Sequence, residues 1–234
     1  GAKIVSVRAC LFIAGCTSTA LIEGMIYAAK QSNVDVINMS IGGLPALNDG
    51  NNARALLYNR LIEQYNVQMF LSAGNSGPGM NTIGDPSVAT LALSIGAYIT
   101  DDTYLAAYGA QLYEQDNLHY FSSRGPREDG GFKPNLVASG AAISTIPVWQ
   151  PQGCLAQVCP VGYALFNGTS MASPQAAGAA ALLISAAQQA GVQKQPAQIR
   201  QALSSTARFL TGRYQAYEQG NGLINVGAAW ALLR

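Results

Sequence analysis

The chain has 234 residues, of which 49% are hydrophobic and 11% charged, and 13 Lys+Arg against 12 Asp+Glu leave a formal charge of +1. Soluble domains ordinarily carry about 25% charged residues, so this chain has no basic field with which to hold nucleic acid or anionic lipid. The apolar content argues against disorder, and no apolar run reaches the roughly 18 residues that a membrane-spanning helix needs.

In chain order, Val5-Ser6-Val7 reads as a short opening strand, and Thr17-Ser18 as a helix start followed by Leu21, Ile22, Met25, Ile26 and Ala29 at helical spacing. Val34 to Ser40 is β-branched and largely apolar and stops at Gly42-Gly43, as a buried strand does. A second helix carries Ala53, Leu56, Leu57, Leu61 and Tyr65 on one face. Val67 to Ser72 predicts a strand ended by Ala73-Gly74-Asn75-Ser76-Gly77-Pro78, and Val88 to Ile95 predicts another. Strands alternating with helices of this length predict right-handed βαβ units and a mainly parallel sheet.

From about Ala97 to Gly140 the pattern weakens: Asp101-Asp102 reads as a turn, with weak strands at Leu136 to Ala138 and Ile143 to Thr145. Thr169 to Ala187 then predicts a nearly uncharged, mostly buried helix, and Gln195-Pro196 starts another. Gly220-Asn221-Gly222 turns the chain into Leu223 to Val226 and a terminal helix. With no repeat or linker, residues 1–234 read as one α/β domain.

Cys10, Cys16, Cys154 and Cys159 form two close pairs, neither spaced C-x-x-C, and one His completes no zinc site with them. Three disulfide pairings are open. The even count with low charge points to an exported protein; the alternative is four buried thiols. The chain starts Gly1-Ala2-Lys3-Ile4 without Met or signal peptide, as expected of a processed product or a piece of something longer.

Ligands of open parallel sheets bind beyond the carboxyl ends of the strands. Two such ends carry glycine-flanked polar residues: Asn38-Met39-Ser40-Ile41-Gly42-Gly43, able to pair with an extended peptide, and Ala73-Gly74-Asn75-Ser76-Gly77, which offers an amide donor. In Asn167-Gly168-Thr169-Ser170-Met171-Ala172-Ser173-Pro174 a hydroxyl stands between a Gly turn and a helix start. There the helix dipole and free N–H groups favour an oxyanion formed when Ser170 attacks a carbonyl. Taken singly, these features are ordinary: a Ser at a helix start is usually an N-cap, and a Gly-Asn-Ser-Gly loop is usually a turn.

Their order is not ordinary. Asp35 to Gly43, Ser72 to Gly77, Phe121-Ser122-Ser123-Arg124-Gly125-Pro126 and Gly168 to Pro174 follow one another as in the subtilisin-like serine proteases, which this chain resembles from about Val5 to Val226. The resemblance implies a subtilisin-like α/β fold: a mainly parallel sheet, helices on both faces, the N-terminal part of the domain lacking. It implies a serine endopeptidase in which Ser170 is acylated and Asn75 donates to the oxyanion together with the Ser170 N–H. Ser40, Ile41 and Gly42 would pair with substrate backbone, Ala73-Gly74 and Ser40-Ile41 would wall the pocket for the adjoining side chain, and Gly43 completes the substrate-binding set. Ala14 to Thr17 would supply the opposite rim. The expected partner is a peptide or protein substrate, and the expected location is extracellular. No cofactor is required; the family often binds structural calcium, but no ligand set can be assigned and no metal residue is named.

The family order is Asp, His, Ser, and the 34 residues before Asp35 contain neither Asp nor His. Both triad partners are therefore expected upstream of residue 1, in a segment bound as a separate chain or lost, and the chain alone is expected to be nearly inert. The single histidine, His119, is expected in a surface segment away from the cleft, exposed or structural rather than a base. Ala138-Ser139-Gly140 departs from the family's Ala-Pro-Gly, and Gln175 stands where a His commonly follows Ser-Pro. Arg124-Gly125-Pro126 with Lys133-Pro134-Asn135 resembles the pyrolysin-like branch, and Cys154 and Cys159 would clip an insertion from Trp149 to Val161. The competing reading is a non-catalytic peptide-binding pseudoprotease or scaffold module.

Overall fold

The computed structural model describes residues 2–11, 15–31, 34–45, 47–145, 161–192 and 195–234. Two short strands, β1 (Cys10–Leu11) and β2 (Gly15–Cys16), pair antiparallel, and a disulfide joins Cys10 to Cys16. Of the three pairings left open by sequence, this selects one for that pair; Cys154 and Cys159 lie outside the described residues. Helix α1 (Ser18–Lys30) starts at Thr17, whose hydroxyl accepts the Ala20 N–H. Strand β3 (Val36–Met39) leads to α2 (Ala53–Tyr65), which Asn52 caps through the Ala55 N–H and which ends at Asn66 in the left-handed region. Strand β4 (Gln68–Ser72) is buried throughout.

Next come β5 (Leu93–Thr100), α3 (Asp101–Tyr108), β6 (Asp116–Leu118), β7 (Leu136–Ser139), and the hairpin of β8 (Ala141–Ile143) and β9 (Leu165–Asn167). The chain closes with α4 (Thr169–Gln189), α5 (Pro196–Ser205), the single turn α6 (Ala216–Gln219) and α7 (Val226–Leu233).

In the main sheet β3, β4 and β5 run parallel, with Met39 opposite Leu71 and Ser72 opposite Ile95. Strand β7 runs parallel along the other edge of β5, while β6 pairs antiparallel with Tyr98 to Thr100, continuing the edge that β4 leaves. The sheet is mixed but mainly parallel.

Side chains alternate between two cores, as strand geometry requires. Phe70, Leu93, Ile95 and Leu136 meet α4, α5 and α7 through Ala176, Leu183, Leu203 and Leu233. Ile37, Met69 and Leu71 face the opposite way, onto Met25 of α1 and Tyr58 and Leu61 of α2. Helices thus cover both faces, and the carboxyl ends of β3 and β4 emerge beside the start of α4.

Four expectations fail. Residues 5–7 form no strand. Val88 to Ala92 is turn rather than strand, because side chains take its carbonyls: Arg127 donates to Val88 O, Arg200 to Leu91 O and Lys133 to Ala92 O. Burial, with Arg127 and Arg200 nearby, holds the Lys133 ammonium well below the ordinary lysine range. Asp101-Asp102 is the first turn of α3, capped by Thr100 and stopped by Gly109 with φ 69°. His119 is 2% exposed, not a surface residue.

Candidate active site

Residues Ser40 to Gly43 follow β3, and Ala73 to Ser76 follow β4. Since β3 and β4 are parallel neighbours, the two segments leave the sheet side by side. Ser40 is half-buried and Ile41, Gly42 and Gly43 are exposed; Ala73 is buried and Gly74 half-buried. Gly43 exchanges two backbone hydrogen bonds with Asp85, at 3.1 and 2.7 Å. Gly84 lies beneath both segments: a Cβ there would stand 3.3 Å from Gly43 O and 3.5 Å from Ala73 O. The expected wall residues therefore lie on two neighbouring segments that both pack on Gly84. Gly74 needs its freedom, having φ 111° and Ser123 Oγ at 2.7 Å from where a Cβ would be.

Helix α4 begins at Thr169, with Gly168 before it and no side-chain cap. Asn75 fills that role from outside: its Oδ1 accepts the Thr169 N–H at 3.0 Å and the Thr169 hydroxyl at 2.9 Å, while the Gly74 N–H donates to Thr169 Oγ1 at 3.2 Å. The backbone donor fixes which end of the Asn75 amide faces the helix. The exposed Nδ2 is left unpartnered among the described residues. It lies 3.4 Å from the place a Gly168 Cβ would occupy, and Ser170 N lies 3.5 Å from the same place. Ser170 N–H likewise has no acceptor among the described residues. Two unpartnered donors at a helix N-terminus therefore lie about the same point beside Gly168, an arrangement suited to a negative oxygen.

The Ser170 hydroxyl belongs to the same cluster and donates to Ser40 O at 3.1 Å. One turn on, Ser173 donates to Asn38 Oδ1 at 2.7 Å, fastening α4 to β3. Beside Ser170 a hollow of about 430 Å³ is lined by Ile143, Phe166, Met171, Pro174 and Gln175 among others. Ser170, Asn75, Ser40 to Gly43 and Ala73 to Gly74 thus lie in one neighbourhood. Of the rim, Ala14 lies outside the described residues. Thr169 and Gly168 were not singled out as site residues; the signal that finds them is Thr169's paired donors immediately before the serine.

No His, Asp or Glu side chain is hydrogen-bonded to Ser170 among the described residues. His119 is not near enough in role: it stacks on Phe121 at 4.6 Å and abuts Gly140, and its Nε2 is buried without a partner. Burial pushes its pKa down to about 4, which keeps it neutral. It supports the site only indirectly, since Gly140 O accepts the Gly168 N–H at 2.8 Å. Among the described residues no group of three His, Cys, Asp or Glu side chains could hold a metal ion, so no such ligand set for calcium can be named. None of the described helices is long and apolar enough to cross a membrane.

Comparison with known proteins gives this geometry a context. Pyrolysin of Pyrococcus furiosus is 37% identical over 255 residues, covering 100% of this chain and 17% of pyrolysin. Tripeptidyl-peptidase 2 of Caenorhabditis elegans is 35% identical over 202 residues, covering 86% of this chain and 14% of that protein. The chain thus spans about a sixth of the length of these curated relatives. Among solved structures, tripeptidyl peptidase 2 superposes with a TM-score of 0.69 at 32% identity, covering 98% of this chain and 17% of that one. A lanthipeptide protease superposes with a TM-score of 0.73 at 22% identity, covering 97% of this chain and 69% of that one, a likeness of fold. The subtilase family matches residues 1–222, and on that match the chain belongs to the subtilase family.

Proposed function

We propose that this chain is the nucleophile-bearing part of a subtilisin-type serine endopeptidase. The observation that carries the reading is the convergence of Asn75 Nδ2 and Ser170 N on the space beside Gly168, next to the Ser170 hydroxyl. An extended peptide lies along Ser40 to Gly42, with one side chain between that segment and Ala73-Gly74 above Gly84. Ser170 Oγ attacks the peptide carbonyl carbon as its proton leaves for a base. The carbonyl oxygen becomes an oxyanion and accepts hydrogen bonds from the Ser170 N–H and Asn75 Nδ2, at the positive end of α4. Return of the proton to the amine expels the leaving chain, and water repeats the sequence on the Ser170 ester. Acyl transfer from nitrogen to oxygen, with the accompanying proton transfers, changes no oxidation state, so the steps call for no redox cofactor.

The base and its orienting acid come from a segment upstream of residue 1. Three observations support this. The only histidine is buried against Phe121 and Gly140, its Nε2 has no partner and it makes no hydrogen bond to Ser170, the 34 residues before Asp35 hold neither Asp nor His, and β3 has no strand on its outer edge among the described residues. The exposed face of α4 at Pro174, Gly178 and Leu182 gives that segment a surface beside the nucleophile. Without it the Ser170 hydroxyl rests on Ser40 O, and the chain is nearly inert; loss of a triad member in subtilisin, of this family, lowers turnover about 10⁴- to 10⁶-fold. The Cys10–Cys16 disulfide favours an oxidising, extracellular setting.

Labelling with a fluorophosphonate tests the reading. Ser170 is labelled in the complete protein, with its upstream segment, and hardly at all in the isolated chain. Absence of labelling in the complete protein would instead support the non-catalytic peptide-binding reading.

A further inference from the structure

The ion pair between Asp85 and Arg54 joins three segments that are far apart in sequence: the one that Gly43 ends, the start of α2 and the start of α1. Asp85 exchanges both backbone hydrogen bonds with Gly43 of the expected wall. Its carboxylate meets Arg54 Nη1 at 3.1 Å and accepts from Asn52 Nδ2 at 3.1 Å, at the N-terminus of α2, where the helix dipole favours a negative charge. Arg54 turns its other terminal nitrogen to Ser18 Oγ at 2.9 Å, the first residue of α1 and the next after the expected rim segment. Both charged side chains are mostly buried, at 19% and 15% exposure. The Arg54 Nε is buried with no partner among the described residues. Gly42 leaves no slack, since a Cβ there would stand 2.6 Å from Asp85 O.

We infer that Asp85 and Arg54 are positioning residues that hold the rim before Ser18 at the spacing from the wall at Gly42-Gly43 that an extended peptide requires. This rests on the protease reading for the direction in which substrate lies, and it adds the device that sets recognition over several residues. A substrate that touches only Ser170, Asn75 and the pocket above Gly84 does not feel the rim; one of four residues spans wall and rim together. The pair therefore acts on substrate length rather than on the chemical step.

The test uses the complete protein with Arg54→Met, Arg54→Lys and Asp85→Asn, comparing a single-residue ester with a four-residue apolar peptide anilide after active-site titration. Arg54→Met raises KM for the peptide about tenfold, misplacement of this kind being costly, while kcat per titrated site and both constants for the ester stay within about twofold; Arg54→Lys restores most of the loss. Should Arg54→Met fail to fold, Asp85→Asn, which keeps the shape but not the charge, gives the same contrast. An equal loss on both substrates, or no loss on either, overturns the proposal. A second readout does not depend on catalysis. In a Ser170→Ala background, fluorescence anisotropy with a labelled apolar tetrapeptide amide shows about tenfold weaker binding for Arg54→Met, and unchanged binding contradicts the inference. A wild-type protein that binds the tetrapeptide but cleaves neither substrate refutes the protease reading and leaves this one standing.

Discussion

Thr169 turns both of its donors, backbone N–H and hydroxyl, onto the single Oδ1 of Asn75. An amide held at its oxygen by two bonds presents its nitrogen in one direction only. Here that direction is the space bordered by Ser170 N. In the proposed mechanism, the residue before the nucleophile thereby orients the donor that stabilises what the nucleophile forms.

Replacing Thr169 by Val removes one of those two bonds and the acceptor of the Gly74 N–H. Turnover of the complete protein is expected to fall about tenfold with KM nearly unchanged, as for a loss felt in the transition state. Steady-state kinetics on a peptide anilide check this, and a change confined to KM would contradict it.

Asn75→Ala removes the donor itself. In subtilisin, of this same family, loss of such a donor lowers kcat about 10²- to 10³-fold, and the same is expected here. Unfolding is expected to shift by about 1 kcal/mol, because Asn75 accepts both Thr169 donors at the start of α4; denaturant titration separates this from the loss of turnover.

Gly168→Ala separates site from fold. The added methyl meets Asn75 Nδ2 at 3.4 Å and Ser170 N at 3.5 Å, ordinary contact distances, so the helix start tolerates it. It occupies the space meant for the oxygen, so fluorophosphonate labelling of Ser170 is expected to drop at least about tenfold in a folded protein. Undiminished labelling would mean that the oxygen lies elsewhere.

Stability should follow the charge state of His119. Its folded pKa is about 4 against 6.5 for the free side chain, so between these values the unfolded chain binds a proton that the native chain does not. Stability is therefore full above about pH 6.5 and declines as pH falls towards 4, by about 3 kcal/mol in all from this residue. Urea unfolding across that window checks the slope, and His119→Leu is expected to flatten it.

The sequence made much of this legible, for identifiable reasons. Strands β3 and β4 and helices α1, α2 and α4 carry their own periodicity and stop signals, and the residues at their ends are local motifs. What stayed hidden depends on partners far along the chain. Val88 to Ala92 is apolar enough for a strand, but Arg127, Lys133 and Arg200 hold its carbonyls in a turn. Helix α3 has little amphipathic pattern and is marked mainly by the Thr100 cap and Gly109. His119 sits among loop-like residues in sequence, and only the fold puts Phe121 and Gly140 against it. The Arg54–Asp85 pair spans 31 positions and has no local signature.

The most direct measurement is a crystal structure of the complete protein bearing a peptide aldehyde adduct. The account predicts a bond from the aldehyde carbon to Ser170 Oγ, with the adduct oxygen beside Gly168 at hydrogen-bond distance from both Asn75 Nδ2 and Ser170 N. An adduct oxygen turned to solvent, or an aldehyde that leaves Ser170 unmodified, would contradict it.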